Sequence, residues 1–431
     1  MSESTTATSL GPEAQQAPLV VRTVRVEDPG ALIALLPPDT ATTTWVRRGD
    51  GLVGWGVAAV CRTSGADRFA AARDWWTRHA RTAVVRDEVG RPGSGLVCFG
   101  SFAFADAPGD SVLVVPEVLV GRRGDEAWVT TIGVDAIPPT PDVAPTRPPE
   151  APRDVTFADG ARSGTAWELV VAEAVRRIND GALEKVVLAR DLLATASADV
   201  DVRWPLTRLS ETYEMCWTFH VDGLFGATPE MLVRRERGLV TSRVLAGTIR
   251  RTGDDARDLA LAATLARSSK DLEEHEYAVR SVADALAPHC SSMNVPEAPF
   301  VLHLPNVMHL ATDVAGVVHD SADPAATSLD LAAALHPSAA VGGTPTDVAT
   351  ALIGELEGMD RGRYAGPVGW MDASGDGEWG IALRSAEIDG PQVRLFAGCG
   401  IVADSDPEAE LAEAQAKFVP VRDSLGGVSG A

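Results

Sequence analysis

No two cysteines of this chain are spaced as a pair: Cys61, Cys98, Cys216, Cys290 and Cys399 are far apart and odd in number. That spacing excludes a Cys-X-X-Cys zinc site and argues against a disulfide framework, so a reducing cytoplasm is the expected setting. A basic patch is also missing. Lysine and arginine number 38 against 60 acidic residues, a net charge of −22, and Arg122-Arg123 and Arg250-Arg251 are only pairs. Such a surface repels phosphate backbones and anionic lipid, and nucleic acid is not an expected partner. No apolar run approaches the roughly 20 residues that span a bilayer, so no membrane association is expected. Residues 1–18 lack both a basic and an apolar segment and read as a disordered tail rather than a signal peptide. There is no internal repeat.

What is present is 431 residues of 45% hydrophobic composition, enough for one large core or two medium ones. Seven prolines between Pro138 and Pro152 exclude helix and central strand, which makes 138–160 a linker between an N-terminal scaffold portion, 19–137, and a region 161–427 that carries the chemistry. The sequence predicts a helix over 67–79, and another opened by a Thr165-Ala-Trp-Glu168 capping box and closed by Gly181. Lys185-Val-Val-Leu188 reads as a strand. Residues 364–371 and 379–388 read as the arms of one hairpin, with Arg384 inside the second arm. Irregular alternation of helices and strands predicts an α+β fold, with large antiparallel β-sheets and helices packed outside.

Two predicted helices each carry carboxylates three residues apart. Asp271 and Glu274 share a face away from the apolar stripe Leu272, Val279, Val282 and Leu286. Glu410, Glu413 and Lys417 share a face of the last helix, which Pro407 opens. Carboxylate oxygens from two elements suit Mg²⁺, which keeps several waters and takes further ligands from substrate; taken alone, the same pattern fits two solvated helix faces. Arg384 stands in the apolar run after Ile381, where a guanidinium needs an anionic partner. The segment Ala332 to Pro345, with two glycines, two prolines and many small residues, allows close approach of backbone to a ligand.

Taken in order, Glu184-Lys-Val-Val-Leu-Ala-Arg190, Thr228-Pro-Glu-Met-Leu232, Leu245-Ala-Gly-Thr248, Ser269-Lys-Asp-Leu-Glu-Glu-His275, the Leu335–Pro345 loop, Tyr364-Ala-Gly-Pro-Val-Gly-Trp370, Ala382-Leu-Arg-Ser385 and Ala397-Gly-Cys-Gly400 resemble the chorismate-utilising enzyme family over the C-terminal 270 or so residues. The resemblance implies isochorismate synthesis, with Lys185 as general base and Glu230 as general acid. It implies Mg²⁺ on Glu274 and Glu413, with Asp271 and Glu410 supporting through water. Arg384, Tyr364, Lys417 and the Gly398 and Gly400 backbone would take the enolpyruvyl carboxylate of chorismate. The Gly247 and Thr248 backbone would take the ring carboxylate, and His309 would position the ring unless it is simply a structural histidine. A lysine accepts a proton only when neutral, and a glutamic acid donates only when protonated, so the two need settings that disfavour their charged forms. By the same resemblance, Lys185 disfavours the amine-adding relatives, the anthranilate synthase component I type. Ala340, where salicylate synthases tend to carry Thr, favours stopping at isochorismate. A non-catalytic chorismate-binding relative would be expected to have lost one of these groups. Cys399, Leu411 and Ala414 depart from the family pattern. No amidotransferase subunit is expected, and the chain is expected to be a monomer. Siderophore and menaquinone pathways both begin from such a product, and no residue separates them.

Overall fold

The computed structural model describes residues 17–303, 307–319 and 325–426, except for the side chains of Thr248, Lys270 and Glu274. Two antiparallel sheets, 13-stranded and 10-stranded, form the body of the fold. The larger runs in the order Thr156–Asp159, Lys185–Thr195, Gln392–Ile401, Ser385–Asp389, Leu224–Thr228, Trp217–Val221, Thr42–Arg47, Asp50–Trp55, Val118–Arg123, Glu126–Val134, Leu19–Val26 and Val84–Asp87, with Gly343–Thr344 attached beside Lys185. Among the described residues, the last pair alone is parallel. The smaller runs Cys290–Asn294, Val307–Val318, Leu239–Arg250, Met231–Glu236, Gly377–Ile381, Pro367–Asp372, Val97–Ser101, Ser111–Val115 and Ala59–Thr63, with Phe300–His303 attached beside Val307–Val318.

Alternation of apolar side chains gives each sheet an inner face. Trp45, Trp128 and Phe219 of the larger sheet meet Phe99, Val114 and Trp370 of the smaller in one buried cluster. Each fully buried side chain of this size contributes roughly 1.5–3 kcal/mol of apolar burial. Among the described residues, eight α-helices lie outside: α1 (Arg68–Thr82), α2 (Gly164–Asn179), α3 (Arg203–Thr212), α4 (Asp255–Leu265), α5 (Ser269–Leu286), α6 (Ser328–Ala334), α7 (Thr346–Leu356) and α8 (Pro407–Leu425). Helices α2 and α8 pack on each other and on the strands next to Lys185, while α5 covers the Leu239–Arg250 strand. No described helix is long and apolar enough to cross a membrane.

Several local expectations change. The 364–371 arm becomes a turn followed by a strand that begins at Pro367. The second arm is two strands in different sheets: Gly377–Ile381 pairs in the smaller and Ser385–Asp389 in the larger. Arg384 is therefore not mid-strand. It sits in the crossover between sheets with φ +48°, a left-handed conformation uncommon for a residue with a Cβ. The apolar pattern continues through the crossover because both flanking strands are buried, so periodicity cannot show the change of sheet. Helix α2 is capped by Ser163, whose hydroxyl accepts from the Ala166 N–H, rather than by Thr165. Within 138–160, Thr156–Asp159 is an edge strand on Leu192–Thr195 rather than linker. Residues 1–16 and 427 of the expected segments lie outside the described residues.

Candidate active site

Two crossovers between the sheets define the site. At one, the chain leaves Leu224–Thr228 and enters Met231–Glu236, with Pro229 and Glu230 between; at the other, Ala382 to Arg384 link Gly377–Ile381 to Ser385–Asp389. Both crossovers open into a cavity of about 490 Å³. Lys185 enters from the first position of its strand, and Gly400 lies on the strand alongside. A Cβ at Gly400 would stand 2.9 Å from Lys185 Cε and 3.4 Å from Nζ, so a glycine there leaves room for the lysine stem to cross.

The smaller sheet supplies Gly247 and His309. Gly247, at φ +73°, stands at a bulge where the pairing with the Val307–Val318 strand shifts between Ala246 and Thr248. Only glycine takes this conformation without strain, and a Cβ there would meet Asp271 Cβ at 3.2 Å. Asp271 reaches the cavity from the first turn of α5, whose N-cap is Ser268. The side chains of Thr248 and Glu274 lie outside the described residues.

Helix α8 starts at Pro407 with Asp406 as N-cap, and its three- and four-residue spacing turns Glu410, Glu413 and Lys417 into the same cavity. The Ser405 hydroxyl donates to Glu410 at 2.7 Å. Lys417 pairs with Glu413 at 2.6 Å and donates to the Gly398 carbonyl at 2.8 Å; the sequence reading, which gave Lys417 to a substrate carboxylate, did not foresee these partners. Tyr364 is buried and stacked on Phe396 at 5.1 Å between centroids, and Ala340 lines the loop side.

Donor atoms of Cys399, Glu410 and Glu413 lie within 4.8 Å of one another. The oxygens suit a hard divalent cation. The sulfur does not: the Cys399 thiol donates to the Glu410 carbonyl, and burial raises its pKa to about 12.

Burial dominates the electrostatics. It drives Glu230 up to about 8, against the nearby charges of Arg384, Lys185 and Lys417, so the carboxyl is protonated at neutral pH. It drives His309 down to about 3, helped by Arg384 and Lys417, and the imidazole stays neutral. Burial also raises Glu413, yet Lys417, Arg384 and Arg250 outweigh it and hold this carboxylate below its ordinary value.

Sequence reasoning placed every named group except Thr248 and Glu274 in a position where the described structure shows it lining one cavity. It missed Arg361, which lines it too. It also missed a compositional signal. The chain has three lysines among 38 basic residues, Lys185, Lys270 and Lys417, and two of them reach this cavity. A chain that otherwise uses arginine keeps lysine here, as a compact ammonium on a flexible stem.

Comparison with known proteins agrees with this geometry. The family profile described as chorismate binding enzyme matches residues 141–426. The chain is 41% identical to isochorismate synthase DhbC of Bacillus subtilis over 267 residues, 59% of this chain and 66% of that protein. It is 33% identical to isochorismate synthase MenF of the same organism over 265 residues, 61% of this chain and 55% of that one. The chain thus spans less than two thirds of the length of either. It is also 32% identical to the salicylate biosynthesis isochorismate synthase of Pseudomonas aeruginosa over 404 residues, covering 87% of this chain and 83% of that protein. Among solved structures, the menaquinone-specific isochorismate synthase MenF of Escherichia coli superposes with a TM-score of 0.78 at 25% identity, covering 95% of each chain. With the profile over most of its length and its motifs gathered around one cavity, the chain belongs to the chorismate binding enzyme family.

Proposed function

We propose that this protein is an isochorismate synthase, adding water at C2 of chorismate and expelling the C4 hydroxyl while the ring double bonds shift between them. One observation carries the reading: Lys185 and a Glu230 held protonated at neutral pH line the same cavity. Water is a poor nucleophile and hydroxide a poor leaving group, so a base and an acid are both required, each typically contributing about 10²–10⁴-fold. Lys185 Nζ takes the proton of the attacking water, and Glu230 donates to the departing C4 hydroxyl. Arg384 and Tyr364, with Lys417 and the backbone at Gly398 and Gly400, bind the enolpyruvyl carboxylate. Gly247 and Thr248 backbone N–H groups bind the ring carboxylate, and neutral His309 packs at the ring. Glu413 and Glu274 would hold Mg²⁺, with Asp271 and Glu410 supporting; when bound, the ion neutralises charge on the substrate. The small side chain of Ala340 favours stopping before elimination. The free cysteines suit the cytoplasm proposed as its setting.

The test is incubation of the purified chain with chorismate and Mg²⁺, products being separated by liquid chromatography. Isochorismate should form, cease with EDTA and return with Mg²⁺. Lys185→Gln should bind chorismate while turnover falls by at least ~10²-fold. Turnover that persists after metal removal, or in Lys185→Gln, would refute these roles.

A further inference from the structure

In the cavity wall lies an ion pair that the chemistry above does not use. Glu357 and Arg361 are 2% and 3% exposed. Two hydrogen bonds join them: Arg361 Nε to Glu357 Oε2 at 2.9 Å, and Arg361 Nη2 to Oε1 at 2.5 Å. The carboxylate is fixed further by the Ala189 N–H at 2.7 Å. Arg162 donates to the Glu357 and Leu356 carbonyls, tying down the chain just after α7. On the guanidinium's face is the Phe104 ring, 4.1 Å away.

Two charges taken out of water repay their desolvation only with good geometry, and a well-packed apolar pair often stabilises a fold as much. This pair does something an apolar pair cannot. Arg361 Nη2 donates to the Val187 carbonyl at 2.7 Å, and Nη1 to the Val341 carbonyl at 3.0 Å. Val187 lies two residues beyond Lys185 on the same strand, and Val341 adjoins Ala340. One rigid, planar group thus joins the strand that carries the base to the loop that presents the small side chain. Arg361 itself lines the cavity. The backbone bond from Val187 N–H to the Gly342 carbonyl, at 2.8 Å, and the pairing of Lys185 and Val186 with Thr344 and Gly343 complete the seam. Arg361 supplies the part of the seam nearest the cavity.

We propose that Arg361, locked by Glu357, is a positioning residue that sets the gap between Lys185 and the Ala340–Val341 loop, and with it the choice between stopping at isochorismate and going on to elimination. The inference rests on the proposed activity. In the elimination, the hydrogen on C2 of isochorismate moves to the enolpyruvyl methylene, the C3–O bond breaks, and the ring becomes aromatic; salicylate and pyruvate leave with all atoms and electrons accounted for and no oxidant needed. That transfer demands one orientation of the enolpyruvyl arm over the ring. A loop fixed to the base strand keeps the arm out of it, and a loop free to shift admits it.

The full chain is assayed with chorismate and Mg²⁺ as wild type, Arg361→Lys, Arg361→Met and Glu357→Gln, with isochorismate, salicylate and pyruvate measured and folding checked by circular dichroism. Arg361→Met and Glu357→Gln should lower kcat for isochorismate by about tenfold with KM changed little. The same variants should raise the pyruvate fraction at least about tenfold, since productive orientation is worth orders of magnitude. Arg361→Lys, able to reach one carbonyl but not both, should fall between them and the wild type. If Arg361→Met does not fold, Glu357→Gln and Arg361→Lys decide. Folded variants with the wild-type product ratio, whatever their rate, would overturn this inference alone. A wild type that makes no isochorismate would overturn the proposed function and this inference with it.

Discussion

Glu230 and Glu413 are the same side chain facing the same cavity, and the protein pushes them in opposite directions. Glu230 stands at a crossover between sheets, where its backbone is held by the Thr228 hydroxyl and by the Ile381 N–H, and among the described residues the cations Arg384, Lys185 and Lys417 act on its carboxyl without a hydrogen bond; burial wins and its pKa rises to about 8. Glu413 stands on a helix four residues before Lys417, whose ammonium contacts it at 2.6 Å, and its pKa is lowered. Arg384 and Lys417 influence both groups. What differs is contact: a cation in hydrogen-bonding range offsets desolvation, and the same cation farther off does not. One cavity therefore holds an acid and an anion of identical chemistry.

Breaking the acid half has the largest expected effect. Glu230→Gln should lower turnover by about 10²-fold or more while making the fold more stable. The sign follows from linkage. The folded carboxyl keeps its proton up to about pH 8, whereas an ordinary glutamate loses it near 4.5, so stability is lost progressively as pH rises from 4.5 to 8. At pH 7 the difference is on the order of 3 kcal/mol, at 1.36 kcal/mol per pKa unit. Urea unfolding at pH 5 and pH 7 should show the variant's advantage growing with pH; an equal advantage at both would mean that Glu230 ionises normally.

Breaking the anion half should have a smaller effect. Lys417→Met removes a charge-assisted hydrogen bond, and kcat/KM should fall about tenfold. Glu413 would lose the partner that holds its pKa down, so the acid limb of the pH profile should move to higher pH. A fall in rate with an unmoved acid limb would remove Lys417 from control of Glu413. Leaving both halves intact and raising the pH sharpens the contrast. The protonated form of Glu230 is lost above about 8, so kcat/KM of the unmodified protein should fall about fivefold between pH 8 and 9, as expected for a single acid required in that form. Activity flat to pH 10 would exclude Glu230 as the acid.

The helical half of this contrast was legible in the sequence and the crossover half only partly. Glu410, Glu413 and Lys417 follow the helical repeat behind Pro407, and their shared face needs no tertiary information. Glu230 and Arg384 were singled out as residues, but Arg384 was placed inside a strand, because the apolar pattern continues across 379–388 while the chain changes sheets. That change depends on which strand lies opposite, Gly226 facing Ser385 and Met231 facing Gly380, and partners distant in sequence leave no local trace. Arg361 was missed for a related reason. Its spacing from Glu357 is that of an ordinary surface pair, and only the fold shows that the pair is buried.

The strand Val97–Ser101 lies inside the smaller sheet, and Thr42–Arg47 inside the larger. Their neighbours, Pro367–Asp372 and Trp217–Val221, come much later in the chain. On the ribosome, then, each of these strands finds one partner soon after it emerges, Asp50–Trp55 or Ser111–Val115, while its other edge waits for a strand made much later. Pairings of such long range make folding slow and expose the nascent chain to aggregation. The active site is among the last parts to form, because Ser101 must wait for Val368 and Gly226 for Ser385 before the crossovers that carry Glu230 and Arg384 can close.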